Sequence, residues 1–396
     1  MGLTKSFSLY KTHNLISLLI PLPLASSLQH FSTKTPPLPL SNPSSLASES
    51  AALNSSSSIN YLIESLGLSK EAAIATFAIY PTLKTSGNPI SVIKFLRNSG
   101  FLDTHIDEIV SRKPQILASD VQKTLKPKLR LFQDLGLSGS ELKDFINANP
   151  SLFGYSLNKR LYPSVLFLRN YLTNEEILMA IKRCGWILFF DPDKILLPNI
   201  NSVQKFGIVG SELAKFLSKY PRFFTQDPKR TEEIAERVKE LGFSSHSSMF
   251  CYAMIALSCI SKETLQNKVT FFKSCGWSED DIFAAFRRMP HLLSLSTKKL
   301  RKGMEYFTNE MKFDQSFLVA RPKLLAFSLE GRVIPRHKVV EALRLKNLLK
   351  KDVDFHGVCG QLEKEFLEKY VYHYEDEAEY LLRIYKESKE NPLNGV

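Results

Sequence analysis

Residues 114–127 read PQILASDVQKTLKP, and residues 150–163 read PSLFGYSLNKRLYP. Both stretches open with Pro-x-apolar-apolar, and each then carries a polar residue, a lysine, a leucine and a second proline at the same places. The offset between the two prolines that open the stretches is 36 residues. Self-similarity at a fixed spacing of this size is typical of a repeat array, in which each repeat is one supersecondary unit.

The same pattern recurs along most of the 396-residue chain. We number the proline of Pro-x-apolar-apolar as position 0, which gives about eight copies at spacings of 32–36 residues. The residues at position 0 are Pro81, Pro114, Pro150, Gly185, Pro221, Ile255, Pro290 and Pro322. Gly185 and Ile255 are placed by their flanking residues, because neither is a proline.

A first helix is predicted to end just before position 0. A residue that precedes proline is pushed out of the α region, so the helix has to stop there. Fourteen residues before position 0, five copies have a glycine followed by an apolar residue, as in Gly136-Leu137, and glycine past a helix end closes the preceding helix. Three capping boxes follow at this register of the repeat: Ser138 with Glu141, Thr173 with Glu176, and Ser278 with Asp281.

A second helix is predicted to start six residues after position 0. In all seven copies from Pro114 onward, the residue there is a preferred N-cap. These residues are Asp120, Ser156, Asp191, Asp227, Ser261, Ser296 and Ser328. Four prolines fall inside this helix and should kink it or delay its regular start: Pro127, Pro163, Pro198 and Pro335. The element between the two helices is too short for an α-helix, which predicts a 3₁₀ turn that buries its two apolar residues.

Each repeat is therefore predicted to be helix–3₁₀ turn–helix. One such unit cannot bury its own apolar stripe, but stacked units share a continuous core, so the sequence predicts an all-α solenoid. No β-strand pattern competes with this prediction. We expect the repeat array to occupy residues 59–345 and residues 346–396 to form a C-terminal helical cap with an acidic tail.

The first 48 residues form a different kind of segment. They contain no Asp or Glu and are rich in Ser, Thr, Leu and Pro, which predicts an organellar transit peptide with a flexible joint to about residue 58. Residues 29–33 resemble a mitochondrial processing region, so the mitochondrion is favoured over the chloroplast. The absence of arginine before Arg97 argues against this, and residues 15–25 could instead be a secretory apolar region.

The repeat resembles the mitochondrial transcription termination factor (mTERF) family in its plant form. The resemblance rests on the Pro-x-Leu-Leu element between two helices, on residues 66–69 and 95–101, and on residues 335–339 followed by 365–370. It covers roughly residues 60–385. It implies a right-handed superhelix with a basic concave groove. It further implies binding of organellar double-stranded DNA or RNA in transcription termination, intron splicing or ribosome assembly.

The charge of the chain is concentrated in the repeats. The formal net charge is +12, and residues 49–360 alone carry +13. This balance points to a polyanionic partner or a membrane surface. No stretch reaches the 18 apolar residues of a membrane span, so we predict no membrane insertion.

Basic residues recur at position +9, the third residue of the second helix. Five of seven copies have one: Lys123, Lys159, Lys194, Arg230 and Lys299. A cation there opposes the helix dipole, whereas a phosphate would be attracted by both the helix N–H groups and the cation. These residues are therefore predicted to bind phosphate. The alternative interpretation is a solvated surface lysine kept by the common ancestry of the repeats.

A second set of cations flanks the turns and would align into a stripe when the repeats stack. It comprises Arg222, Arg287, Arg288, Arg321, Lys323 and Arg336. Such a stripe is typical of nucleic-acid binding, although each charge taken alone is better explained by solvation. Trp186, one residue after position 0, is the candidate for stacking on a base. The aromatics of the other copies match core positions: Phe223, Phe224, Phe271, Phe272 and Trp277.

The sequence has no signature of an enzyme. It contains no phosphate-cradling glycine loop, no His-x-x-x-His pair and no nucleophile elbow, so we predict no catalytic residue, metal or cofactor. Its five cysteines are spaced irregularly, which favours reduced thiols. We expect a monomeric nucleic-acid-binding regulator of organellar gene expression that also contacts proteins of the expression machinery. The alternative is a helical-repeat scaffold that binds protein partners alone.

Overall fold

The computed structural model describes residues 59–79, 89–245, 247–349 and 353–390. All regular elements in these ranges are helical, with no strand among them, so the predicted all-α class is confirmed. The described residues form two compact units, one ending at Ser258 and one beginning at Cys259. The predicted leader, its joint to residue 58 and the first anchor, Pro81, lie outside the described residues.

The first unit consists of two layers of helices. First helices of the repeats are Lys70–Ile79, Asp103–Arg112, Gly139–Ala148, Asn174–Arg183, Gly210–Lys219 and Ser248–Ser258. Second helices are Pro89–Asn98, Lys126–Asp134, Tyr162–Arg169, Leu197–Gln204 and Pro228–Glu240. First helices pack on first helices of the next repeat, as Asn174–Arg183 does on Gly210–Lys219, and Leu197–Gln204 packs in the same way on Pro228–Glu240.

The second unit continues the alternation and ends in a different helical group. Its repeat helices are Lys262–Ser274, Glu279–Arg288, Thr297–Glu305, Gln315–Ala320 and Ile334–Leu345. The terminal group is Phe355–Gly360, Glu363–Leu367 and Ala378–Glu390. The last helix packs along Ile334–Leu345 and buries Leu381 and Tyr385, so it covers the apolar side of the last repeat. The predicted boundary at residues 345 and 346 stays a prediction.

The predicted 3₁₀ turns are present in six copies. They are Pro114–Ala118, Pro150–Gly154, Gly185–Phe189, Pro221–Thr225, Pro290–Ser294 and Pro322–Ala326. In each copy the first helix ends two residues before position 0, and the apolar residues at positions +2 and +3 are buried. Turns also pack on the helices of the preceding repeat, so these apolar pairs join successive repeats.

The assignment of Ile255 to position 0 of a turn is wrong. Ile255 lies inside the uninterrupted helix Ser248–Ser258. This copy has neither proline nor glycine at that place, and its apolar run from Phe250 to Leu257 buries six side chains along the helix. Helix formation therefore continues where the other copies turn. The cap at Ser261 is still present and starts the next helix.

All seven predicted N-caps are confirmed. Each cap side chain accepts a hydrogen bond from a backbone N–H two or three residues later. In the four copies with an internal proline, a π-helical turn follows the cap, and the α-helix begins one residue before the proline. Proline has no N–H and crowds the carbonyl four residues earlier, so the widened turn absorbs it. The three copies without this proline start as a regular α-helix, which confirms the predicted delay.

Two of the three predicted capping boxes are present. Thr173 with Glu176 and Ser278 with Asp281 make both reciprocal hydrogen bonds. Ser138 makes no capping bond, so this prediction is wrong. The next residue, Gly139, has a φ of 53°, a left-handed conformation that departs from a regular helix start, and Glu141 instead pairs with Lys182 of the next repeat, with Nζ and Oε1 2.9 Å apart.

Glycine replaces proline at position 185 for a steric reason. An ideal Cβ on Gly185 would lie 2.6 Å from Oδ1 of Asn149, closer than real contacts allow. The Asn149 amide is held in place, because its Nδ2 donates to the carbonyl of Phe145 at 2.9 Å. The turn of one repeat is thus fitted to a side chain of the preceding repeat.

Gly185→Ala is expected to lower the free energy of unfolding by about 1–3 kcal/mol, the usual cost of overpacking. The same change in an Asn149→Ala background should cost much less, because the clashing amide is gone. Urea denaturation of the four proteins in this double-mutant cycle measures the coupling. Equal costs in the two backgrounds would contradict the proposed clash.

Candidate nucleic-acid interface

The position +9 cations of the first unit lie on the surface at the start of successive second helices. Lys123, Lys159, Lys194 and Arg230 are all exposed. Arg230 also donates from Nη2 to the carbonyl of Ser258 at 3.0 Å. The stacking of second helices therefore repeats one cation per repeat along this unit.

Lys299, the position +9 residue of the second unit, differs from the other four. It is half-buried, and its Nζ donates to the carbonyl of Ala326 in the next turn at 2.5 Å. Burial lowers the pKa of this ammonium, and nearby Glu330 partly opposes the shift. Lys299 therefore has a structural contact that the exposed lysines of the first unit lack among the described residues.

The caps change how a phosphate would be bound. The backbone N–H of Lys123 donates to Oδ1 of Asp120 at 2.8 Å, and that of Lys159 donates to the Ser156 hydroxyl at 3.2 Å. These N–H groups are used within the chain, so attraction of a phosphate depends on the side-chain cations. The aspartate cap partly offsets the positive charge of Lys123, whereas the neutral serine cap does not offset that of Lys159.

An open groove in the first unit contains two arginines, Arg160 and Arg169, that are not among the predicted contacts. It has a volume of about 610 Å³ and runs between helix Tyr162–Arg169 and residues 191–193, where the second helix of the next repeat starts. Lys159, Arg160 and Arg169 line it together with Asp191 and Asp193. Arg160 is held by Asp191, with Nη1 and Oδ2 3.4 Å apart, so Lys159 and the exposed Arg169 are its available cations. Lys159 and Arg169 are ten residues apart, not the three or four that place side chains next to each other on a helix, so the sequence alone did not indicate this cluster.

The predicted turn-flanking cations have different environments. Arg222 is exposed, and so are Arg287 and Arg288, the last of which donates to the carbonyl of Ala284 in its own helix at 3.2 Å. The Arg321 guanidinium lies 4.4 Å from the centre of the Phe317 ring and 3.9 Å from a carboxylate oxygen of Asp354.

Lys323 is half-buried beside the Phe327 ring. Burial and the neighbouring Arg332 lower the pKa of its ammonium. Lys323 and Arg321 are thus partly engaged by their own unit, whereas Arg222, Arg287 and Arg288 are more accessible.

Trp186 is the exposed ring that the sequence analysis proposed. Its side chain is 38% exposed, whereas Trp277 is 3% exposed. The Arg222 guanidinium carbon lies 5.7 Å from the centre of the Trp186 ring. The other aromatics assigned to the core, Phe223, Phe224, Phe271 and Phe272, are buried as predicted.

Arg336 is corrected from a surface contact to a structural residue. It is 1% exposed, and its Nη1 donates to the carbonyls of Val358 at 2.6 Å and Gln361 at 2.9 Å. Its guanidinium carbon lies 4.8 Å from the centre of the Phe366 ring. The guanidinium therefore holds the terminal helical group against the last repeat and is unavailable to a ligand.

Arg336 belongs to a set of turn-capping side chains. Each member is a buried side chain of a second helix. It donates to backbone carbonyls of the next repeat or, after the last repeat, of the terminal helical group. The set comprises Lys128 to Phe153, Ser164 to Leu188, Asn199 to Phe224 and Gln226, Lys268 to Leu295, and Arg336 to Val358 and Gln361. Buried carbonyls need donors, and these side chains supply them at the end of a 3₁₀ turn or, for Arg336, at the end of helix Phe355–Gly360.

The sequence held a signal for these residues. Four of the five directly follow the internal proline of the second helix, as Lys128 follows Pro127, and are polar where the stripe is otherwise apolar. Burial lowers the pKa of Lys128 to about 8, so at pH 7 the ammonium still predominates and donates to the turn. Two lysines, Lys128 and Lys268, thus contribute to the net charge without reaching the surface.

Among the described residues, no group of His, Cys, Asp and Glu is arranged to hold a metal ion. No helix in the described ranges is long and apolar enough to cross a membrane. The five cysteines are free thiols. Burial raises the pKa of Cys184, Cys251 and Cys359 to about 12, so these three are protonated and packed as small apolar groups, whereas Cys259 is exposed.

Stacked helix–3₁₀ turn–helix units with a capped second helix and an exposed cation near its start define a class of all-α repeat proteins. The mTERF family model matches residues 93–194 and 183–356. The chain belongs to the mTERF family, which confirms the resemblance in the sequence.

Three plant relatives illustrate how far the likeness extends. Transcription termination factor MTERF8, chloroplastic, of Arabidopsis thaliana is 25% identical over 243 residues, which cover 60% of this chain and 47% of that protein. Transcription termination factor MTERF15, mitochondrial, of the same plant is 22% identical over 299 residues, 76% of this chain and 58% of that protein. Transcription termination factor MTERF4, chloroplastic, of Oryza sativa subsp. japonica is 32% identical over 81 residues, 20% of this chain and 16% of that protein. This chain spans about half the length of the first two.

Proposed function

We propose that this chain binds organellar nucleic acid and thereby regulates gene expression, in transcription termination, RNA splicing or ribosome assembly. The observation that carries the proposal is the row of four exposed cations at the same position of successive helices in the first unit: Lys123, Lys159, Lys194 and Arg230. A nucleic-acid backbone is a regular row of anions, so evenly repeated cations match it. The relatives are named transcription termination factors, which supports the same class.

The proposed location is the mitochondrion, with the chloroplast as the alternative. The acid-free segment of residues 1–48 supports import, and residues 29–33 favour the mitochondrion. The relatives include one protein named as chloroplastic and one named as mitochondrial, which supports import into an organelle. The preference for the mitochondrion therefore rests on residues 29–33 alone. The proposed active form is a monomer with a basic groove. Its proposed additional partners are proteins of the expression machinery.

One experiment tests location and binding together. The full chain carrying a C-terminal tag is crosslinked by ultraviolet light in plant tissue, the two organelles are separated, and the attached nucleic acid is sequenced. We expect a defined set of mitochondrial sequences. Recovery of the tagged chain in chloroplasts would support the alternative location. Recovery of proteins without crosslinked nucleic acid would favour the scaffold function and contradict the proposal.

A further inference from the structure

The 3₁₀ turns present one outward side chain per repeat. Position +1 is exposed or half-exposed in every turn, although positions +2 and +3 are buried. In the first unit the position +1 residues are Gln115, Ser151, Trp186 and Arg222. We call these four residues the turn row. An amide, a hydroxyl, an indole and a guanidinium differ in chemistry, whereas the buried positions beside them are uniformly apolar.

The turns that carry the row meet in two neighbouring pairs. Turn Pro114–Ala118 contacts turn Pro150–Gly154, and turn Gly185–Phe189 contacts turn Pro221–Thr225. The Arg222 guanidinium carbon lies 5.7 Å from the centre of the Trp186 ring, although the two residues belong to different repeats. Neighbouring members of the row can therefore act on one ligand.

Each member of the turn row precedes the position +9 cation of its own repeat by eight residues, as Trp186 precedes Lys194. One repeat therefore supplies both a cation at the start of its second helix and an outward side chain on the turn before it.

Trp186 is the member whose chemistry is most specific. An indole that is 38% exposed on a turn does little for the core, and Arg222 already holds one side of it. Indole rings stack on any base, and a guanidinium can stack as well or pair with a phosphate. In an intact duplex the base faces are covered by neighbouring bases, so an unpaired strand offers a face to Trp186 without the cost of unstacking a base pair.

We propose that Trp186 and Arg222 bind a base of single-stranded nucleic acid by stacking, with Gln115 and Ser151 facing the bases on one side of it. This inference rests on the proposed nucleic-acid binding and adds to it the strand type and the residues that contact bases. The hydroxyl and the amide can hydrogen-bond base edges, whereas the position +9 cations contact the backbone without regard to sequence.

The test measures affinity of the full chain for a fluorescein-labelled single-stranded oligonucleotide and for its duplex by anisotropy. Trp186→Ala is expected to weaken single-strand binding by about 5- to 100-fold, the usual effect of losing one stacked base. Its salt dependence should stay unchanged, because no cation is removed. Arg222→Gln should weaken binding and also reduce the log-affinity versus log-salt slope by roughly 0.7.

A spectroscopic readout tests contact directly. Trp186 and Trp277 are the two tryptophans of the chain, so a Trp277→Phe variant leaves Trp186 as the single reporter. Stacking should quench its emission on titration with the unlabelled single strand and shield it from acrylamide.

The matched control for Trp186→Ala in the affinity measurement is Met179→Ala. It removes a 40% exposed side chain from helix Asn174–Arg183 and should leave affinity unchanged.

The outcomes separate the two proposals. If the wild-type chain binds neither strand form in a salt-dependent way, the proposed function itself fails. If it binds but Trp186→Ala has the affinity of wild type and Trp186 emission does not change, the stacking inference fails alone. An equal loss of single-strand and duplex affinity in Trp186→Ala would also overturn it, because Trp186 would then contact the duplex as strongly as the unpaired strand.

Discussion

Leu152→Asp is expected to lower the free energy of unfolding by roughly 4 kcal/mol or more, because it buries an unpaired carboxylate and removes a core side chain. Leu152 has no measurable exposure and occupies position +2 of turn Pro150–Gly154. That turn packs on helix Asp103–Arg112 of the preceding repeat, so the loss acts at the junction between two repeats. Urea denaturation followed by circular dichroism measures the change.

The matched control is Ser151→Asp, one residue earlier in the same turn. Ser151 is half-exposed at position +1, so a carboxylate there stays hydrated and should change stability by no more than about 0.5 kcal/mol. The two variants have the same new charge and differ in the face of the turn that carries it. If both variants unfolded at the wild-type urea concentration, the turn would not be the joint between repeats.

Replacing Lys123, Lys159 and Lys194 together by glutamine is expected to weaken nucleic-acid binding by tenfold or more. The three are exposed, so their removal should leave the melting temperature unchanged. Each lost phosphate contact should reduce the log-affinity versus log-salt slope by about 0.7–0.9, so the triple variant should lose roughly two units of slope. Anisotropy titrations between about 50 and 200 mM salt measure both quantities.

The control variant neutralises Lys364, Lys369 and Lys386, three exposed lysines of the terminal helical group. It removes the same net charge, so a general loss of positive potential would affect both variants alike. We expect the control to bind almost as the wild type does. Equal affinities of the two triple variants would exclude the position +9 row as the contact, and Arg222, Arg287 and Arg288 would become the candidates.

Within the row, the caps set the expected order of single variants. Lys159 follows a serine cap, whereas Lys123 follows an aspartate whose charge would repel a phosphate. Lys159→Gln should therefore cost more affinity than Lys123→Gln, measured by the same titration. This order was not visible from the recurrence of lysines alone, because it depends on the charge three residues earlier at each helix start.

The repeat itself was predictable because its signals act within one turn of the chain. Proline at position 0 stops the first helix, and the residue at position +6 caps the second, through contacts with atoms two to four residues away. The internal proline delays the α-helix for the same local reason. The copy at Ile255 lacks the proline that ends the helix in other copies. Its spacing in the repeat therefore predicted a turn where the helix continues.

The tertiary structure alone decided which cations are accessible and which side chains join the repeats. Arg336, Lys128 and Lys268 look like surface charges in the sequence but are buried against the segment that follows their repeat. The partners of these cations lie 22–27 residues away in the chain, as does the carbonyl that engages Lys299, and the acidic partner of Arg321 lies 33 residues away. Arg222 lies 36 residues from Trp186 in sequence, and only the packing of one turn on the next brings the guanidinium to the ring. Local chemistry therefore determined where each helix begins and ends, and stacking determined what each exposed or buried charge can contact.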